Sequence, residues 1–226
     1  MTSELLECVE MDPGPKPAWV VIWLHGLGAD GHDFEAIVPE LQLPESLPVR
    51  YVFPHAPMRP VTINMGMVMR AWYDILEMDV SRKVDVDTIV ESSDLLRNLI
   101  QRELDSGIPS ERILLAGFSQ GGAIVLHTAL RYEKPLAGIL ALSTYLPTVA
   151  TLKAERSDAN RETAIMMAHG KHDPMIPIIN AEKTREALIR MDYSVQWREY
   201  PMEHQVCMEE IRDIRTWMLE IMRSVR

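Results

Sequence analysis

A serine stands between two glycines in Gly117-Phe118-Ser119-Gln120-Gly121. The apolar, β-prone run Ile113–Ala116 precedes it and the apolar helical pattern Ala123–Leu130 follows. A strand that turns sharply into a helix pushes such a serine into a strained backbone conformation and exposes its hydroxyl. Gly117 and Gly121 suit that turn because a Cβ at either position would crowd it. The helix beginning after Ser119 points its first amides and positive dipole end at the place where an oxyanion would form. The pattern alone is weak, because a plain strand-to-helix turn also uses glycine and serine. Its chemical meaning depends on partners elsewhere in the chain.

A serine hydroxyl is a poor nucleophile at neutral pH and needs a base, which in turn needs an orienting carboxylate. His169-Gly170-Lys171-His172-Asp173-Pro174 follows the apolar run 163–169, and Tyr200-Pro201-Met202-Glu203-His204 follows the run 194–200. Asp173 as the acid and His204 as the base then lie on consecutive strand-end loops, in the chain order serine, acid, histidine. Four of the other six histidines fit a structural reading better. His169 and His172 flank Asp173 too closely in sequence to turn back on it. His127 reads as a packed or surface residue, and His25 as a residue that holds its loop in shape. His32 and His55 sit in loops at the same end of the strands. Asp158 and Asp192 lie in polar stretches and read as solvated. The glycine-rich His25-Gly26-Leu27-Gly28 could supply a second oxyanion donor, making the Leu27 and Gln120 backbone amides the candidate pair. The alternative is a plain glycine turn.

These residues need a scaffold that brings distant loops together. Apolar runs at 18–24, 49–53, 112–116, 137–142, 163–169 and 194–200 read as strands. Helices are predicted at 33–41, 85–105, 120–132, 178–191 and 207–223, with 54–69 irregular and 71–74 a short extended piece. Alternating strands and helices predict an α/β fold with a mostly parallel central sheet and helices on both faces. Active sites in such sheets lie at the carboxyl ends of strands, where Ser119, Asp173 and His204 all fall.

A chain of 226 residues is expected to form a single domain spanning 1–226, large enough to need no disulfide or metal staple. The formal charge of −10 argues against nucleic acid as a partner. Cys8 and Cys207 have no metal-ligand spacing and are expected as reduced thiols, with no metal and no cofactor implied. The N-terminus lacks a secretory pattern, and no apolar run approaches the roughly 18 residues of a membrane span. A cytoplasmic location without stable membrane insertion is the expectation.

The segments WLHGLGADGHDF (23–34), FPHAP (53–57), AWYDI (71–75), GFSQGGA (117–123), HGKHDPMIP (169–177) and YPMEHQV (200–206) together resemble the carboxylesterase/acyl-protein thioesterase family, in particular its bacterial carboxylesterases. The resemblance runs from Ala18 to Ser224. It implies an α/β-hydrolase fold with the triad on Ser119, Asp173 and His204 and the oxyanion amides on Leu27 and Gln120. One departure is Glu203, where many relatives have glycine before the histidine. A carboxylate there either acts on the base or points to solvent, which leaves the pH optimum open.

The methionine-rich stretch 58–69, with Met65, Met67 and Met69, is a candidate acyl-binding wall, because such side chains repack around flexible ligands. Filling core is an equal alternative; the resemblance favours the wall, and Trp72 is expected beside it. No insertion is long enough for a large lid domain. The expected activity is hydrolysis of small acyl esters of short to medium chain. Thioesterase or lysophospholipase activity by the same residues is the alternative. A non-catalytic binding protein is a remote third reading, since no triad position is damaged. The resemblance also leaves a homodimer open.

Overall fold

The computed structural model describes residues 5–12, 16–77 and 83–224. Its centre is the strand β2 (Trp19–Leu24), all six residues of which are buried. The strand pleat sends Val20, Ile22 and Leu24 to one face and Trp19, Val21 and Trp23 to the other. A strand that is apolar on both faces must be covered on both, and the helices do this.

The strands are β1 (Cys8–Met11), β2, β3 (Val49–Pro54), β4 (Met58–Val61), β5 (Met67–Arg70), β6 (Ile113–Phe118), β7 (Gly138–Leu142), β8 (Ala164–Gly170) and β9 (Val195–Tyr200). Seven of them form one sheet in the order β1-β3-β2-β6-β7-β8-β9. Every pairing in it is parallel except β1 with β3. The helices are α1 (Ile37–Leu41), α2 (Val86–Asp105), α3 (Gln120–Ala129), α4 (Val149–Glu155), α5 (Ile178–Arg190) and α6 (Met208–Ser224). Ile89, Leu96, Leu99 and Ile100 of α2, the buried length of α3 and Leu188 of α5 pack on the face that carries Ile22. Ile37 and Leu41 of α1 pack with Ile214, Trp217 and Met218 of α6 on the face that carries Trp23. Asp85 caps α2, its side chain accepting from the Asp87 amide.

Three segments depart from the sequence reading. The segment 54–69, expected as irregular, contains the antiparallel hairpin β4–β5. Met65 (φ 56°) and Gly66 (φ 74°) make its turn, so Asn64-Met65-Gly66 was the local turn signal. Residues 71–74 are not extended into a ladder, because their backbone groups bond to side chains instead: the Trp72 amide donates to Gln120 Oε1 and the Tyr73 carbonyl accepts from Gln120 Nε2. Only Ile37–Leu41 of the expected helix 33–41 is helical, the residues before it forming turns. The edge strand β1 and the short α4 were not anticipated; β1 is half-buried and carries little alternation.

Among the described residues, no helix is long and apolar enough to cross a membrane. Nor does any cluster of His, Cys, Asp and Glu among them have metal-holding geometry. Cys8 and Cys207 are both free.

Candidate active site

Ser119 sits between the end of β6 and the start of α3 with φ 54° and ψ −120°, a conformation that L residues rarely adopt. Two bonds to the neighbouring strand end hold it there. The Ser119 amide donates to the Leu142 carbonyl at 2.9 Å, and Thr144 Oγ1 donates to the Ser119 carbonyl at 2.6 Å. The flanking glycines are required by close approach. A Cβ on Gly117 would stand 2.6 Å from the Gly121 backbone, and one on Gly121 would stand 2.5 Å from the carbonyls of Leu24 and His25.

The strand ends bring Ser119, His204 and Asp173 together. Ser119 Oγ lies 2.9 Å from His204 Nε2, and His204 Nδ1 lies 2.7 Å from Asp173 Oδ2. A carboxylate can only accept, so Nδ1 carries the proton and Nε2 is free to receive one from the serine. The other Asp173 oxygen accepts the Met175 and Ile176 amides, each at 2.8 Å. Burial pushes the Asp173 carboxyl upward. The ring N–H groups of His169 and His204 and the Ile176 amide outweigh that effect and hold the group well below the usual carboxylate range.

The loops that carry Asp173 and His204 are laced together: the Lys171 amide donates to the Tyr200 carbonyl and the His172 amide to the Met202 carbonyl. Gly170 permits this, since a Cβ there would collide with the carbonyls of Met202 and Glu203. Phe118 packs on His204, their ring centroids 4.8 Å apart. Glu203 is exposed.

The remaining histidines divide as follows. His25 is buried and holds its loop: Nδ1 donates to the Gly26 carbonyl at 2.7 Å, and Nε2 accepts the Ala56 amide at 3.1 Å. Burial pulls its pKa down to about 4, which keeps Nε2 available as an acceptor. His55 Nδ1 accepts the Gly31 amide. His127 is buried against Thr148, and His32 is exposed beside Glu35. His172 is exposed. His169 corrects the expectation that a histidine close to Asp173 in sequence cannot face it: Nε2 lies 3.4 Å from Asp173 Oδ2. The residues from Gly170 onward turn back, so the side chains four positions apart meet.

Leu27 and Gln120 both line the cavity beside Ser119. Gln120 is the first residue of α3, where amides have no acceptor within the helix. The Leu27 loop is pinned on both sides, by the Gly28 amide donating to the Arg70 carbonyl and by Trp72 Nε1 donating to the His25 carbonyl.

The cavity has a volume of about 280 Å³ and is walled on its apolar side by Ile63, Tyr73, Ile75, Tyr145, Met175 and Ile176. Met65, Met67, Met69 and Trp72 are not among its lining residues. Met65 is 95% exposed and Met67 60% exposed at the hairpin tip. Met69 turns its sulfur to Asn64 Nδ2. Trp72 is fully buried and braces the His25 carbonyl. The two-stranded hairpin has no sheet behind it, so Met58, Met65 and Met67 stand in solvent while Met69 is half-buried. Ile63 is the one residue of 58–69 that reaches the cavity. Tyr73 and Ile75 lie within the segment AWYDI, and the apolar pair Tyr73 and Ile75 on either side of polar Asp74 was the signal for them.

A parallel sheet with a serine on a strained strand-to-helix turn, and an acid and a histidine on the next strand ends, defines an α/β-hydrolase. The chain belongs to the phospholipase/carboxylesterase family, whose sequence profile matches residues 7–221. It is a serine hydrolase acting on ester bonds. It is 41% identical over 216 residues to acyl-protein thioesterase 1 of Neurospora crassa, covering 91% of this chain and 87% of that protein. The corresponding protein of Mycosarcoma maydis is 38% identical over 223 residues, covering 92% and 93%. Among solved structures, Zea mays acyl-protein thioesterase 2 superposes with a TM-score of 0.84 at 25% identity, covering 95% of this chain and 98% of that one. Arabidopsis thaliana SOBER1 superposes with a TM-score of 0.86 at 28% identity, covering 90% and 99%.

Proposed function

We propose that the protein hydrolyses short- to medium-chain acyl esters through an acyl-enzyme on Ser119. His204 Nε2 takes the Ser119 proton as Oγ attacks the substrate carbonyl. Asp173 holds the imidazole tautomer and stabilises the imidazolium. The Leu27 and Gln120 amides receive the oxyanion. The imidazolium then gives its proton to the departing alcohol, and water repeats the sequence on the acyl-enzyme. The observation that carries this reading is the unbroken contact chain Ser119–His204–Asp173, at 2.9 and 2.7 Å, opening onto an apolar-walled cavity. Its volume of about 280 Å³ sits at the lower end of small-molecule sites, which favours short and medium chains.

Thioester hydrolysis is the second reading, favoured by relatives near 40% identity that are named acyl-protein thioesterases. The same machinery serves both, since only the leaving atom changes from oxygen to sulfur. A panel of p-nitrophenyl esters from acetate to palmitate, beside acyl thioesters of matched length and with Ser119→Ala in parallel, separates the readings. Ester activity peaking at short or medium chains and lost in Ser119→Ala supports the first. Thioesters turning over much faster than matched esters favours the second. Activity unaffected by Ser119→Ala refutes both.

A further inference from the structure

We propose that His169 is a positioning residue for Asp173, holding both the carboxylate and its loop in the geometry His204 needs. The inference rests on the triad reading above. His169 is the sixth residue of β8 and is completely buried. Its Nε2 faces two acceptors, the Ile176 carbonyl at 2.8 Å and Asp173 Oδ2 at 3.4 Å. Neither can donate, so Nε2 must carry the proton; it donates to the Ile176 carbonyl and turns its positive edge toward Asp173 Oδ2. The opposite nitrogen, Nδ1, is buried with no hydrogen-bond partner among the described residues. A proton there would be stranded, so the surroundings select one tautomer.

The contacts close a ring. Ile176 gives its amide to Asp173 Oδ1 and its carbonyl to His169, while His169 reaches across to Asp173 Oδ2. Asp173 Oδ2 therefore lies between two imidazoles, His204 on the solvent side and His169 on the core side. Three hydrogen-bond donors hold the carboxylate, two amides on one oxygen and the His204 ring N–H on the other, and the His169 Nε2 stands 3.4 Å from that second oxygen. Without the His169 donor, Oδ2 keeps more of its negative charge for His204, and the turn 170–176 loses its tie to the core. The first effect favours the imidazolium and moves the acid limb of activity to higher pH. The second lowers turnover. His169 does neither through contact with substrate.

The test uses His169→Phe and His169→Gln in the full chain, reading kcat, KM and the pH profile of kcat/KM on a medium-chain p-nitrophenyl ester. The glutamine amide can place a donor where Nε2 stood; phenylalanine cannot. The expected result for His169→Phe is a fall in kcat of about tenfold to a hundredfold, the scale of one hydrogen bond to a charged group. KM stays close to that of the parent and the acid limb shifts upward. His169→Gln recovers most of the rate and the parent limb. Equal impairment of both variants, or a parent-like profile in His169→Phe, overturns the proposal.

A ¹⁵N spectrum of the unmodified protein at pH 8 covers the case in which a variant fails to fold. His169 is expected as the Nε2–H tautomer, and the Nδ1–H tautomer overturns the proposal. Full activity in Ser119→Ala would refute the triad reading separately from any result at His169.

Discussion

The side chain of Gln120 spans two consecutive backbone groups of a distant loop: Oε1 accepts the Trp72 amide and Nε2 donates to the Tyr73 carbonyl, both at 2.6 Å. The residue whose amide is proposed for the oxyanion thus also fixes a cavity wall, since Tyr73 lines the cavity. Gln120→Leu removes the side-chain partner of the buried Trp72 amide and of the Tyr73 carbonyl. It is expected to cost about 2–6 kcal/mol of stability, at roughly 1–3 kcal/mol per hydrogen bond lost. Thermal unfolding measures this, and turnover is expected to fall with it as Tyr73 loses its position.

Asp173→Asn removes the acceptor that selects the Nδ1–H tautomer of His204. Turnover is expected to fall by about 10⁴-fold with little change in KM, as the loss of a triad carboxylate does elsewhere. Steady-state kinetics on one ester decide it. A loss below tenfold would mean that His204 is oriented by other groups.

Glu210 on α6 is fully buried, and neither carboxylate oxygen has a hydrogen-bond partner among the described residues. Burial pushes its pKa up to about 8, the Cys207 amide opposing and Asp213 reinforcing. The folded state therefore holds a proton that the unfolded chain releases from about pH 4.5 upward. The stabilising effect is complete below that pH and is lost as pH rises toward 8, by at most a few kcal/mol. Glu210→Gln, which mimics the protonated acid, is expected to unfold at a higher temperature than the parent. The gap should widen from pH 5 to pH 8 in scanning calorimetry.

His127 shows the opposite sign. Burial first and Arg131 second pull its pKa down from 6.5 to about 4. The unfolded chain takes up a proton that the folded protein refuses, so stability is lost as pH falls from 6.5 toward 4. His127→Asn, able to keep a bond to Thr148 without titrating, is expected to show a shallower loss of melting temperature over that window.

The hairpin methionines and the cavity wall are expected to separate in substrate profiles. Met65→Ser should leave the preference of kcat/KM for chain length unchanged, because Met65 is 95% exposed and lines no part of the cavity. Ile63→Trp should shift the preference toward shorter acyl chains by filling the cavity that Ile63 lines. A shifted optimum in Met65→Ser would return the hairpin tip to the substrate path.

The sheet was legible because its strands are buried on both faces. Trp19–Leu24 and Ile113–Ala116 are continuous apolar runs with few other fates. The juxtaposition of Ser119, Asp173 and His204 was legible for a related reason: strand-end loops in a parallel sheet converge, and glycines mark the turns. The cavity wall was not. Met65 and Met67 looked suited to substrate by composition, but composition does not tell which way a free hairpin faces. Ile75, Tyr145 and Ile176 come from three loops whose meeting is a tertiary fact. The contact of His169 with Asp173 was missed because it depends on how the turn after Gly170 folds back. Glu210 gave no signal either, as one acid among 33 acidic residues.

The backbone at Ser119, φ 54° and ψ −120°, also limits which chemistries this scaffold can host. Cysteine differs from serine by one atom beyond Cβ and can occupy the same turn, so a thiol nucleophile is one substitution away. Threonine carries a second branch on Cβ, which crowds a backbone already in a disfavoured region. The turn thus acts as a sieve on descent: drift from an alcohol to a thiol nucleophile is open to this lineage, while drift to a secondary alcohol is closed by the main chain before the reaction is ever tried.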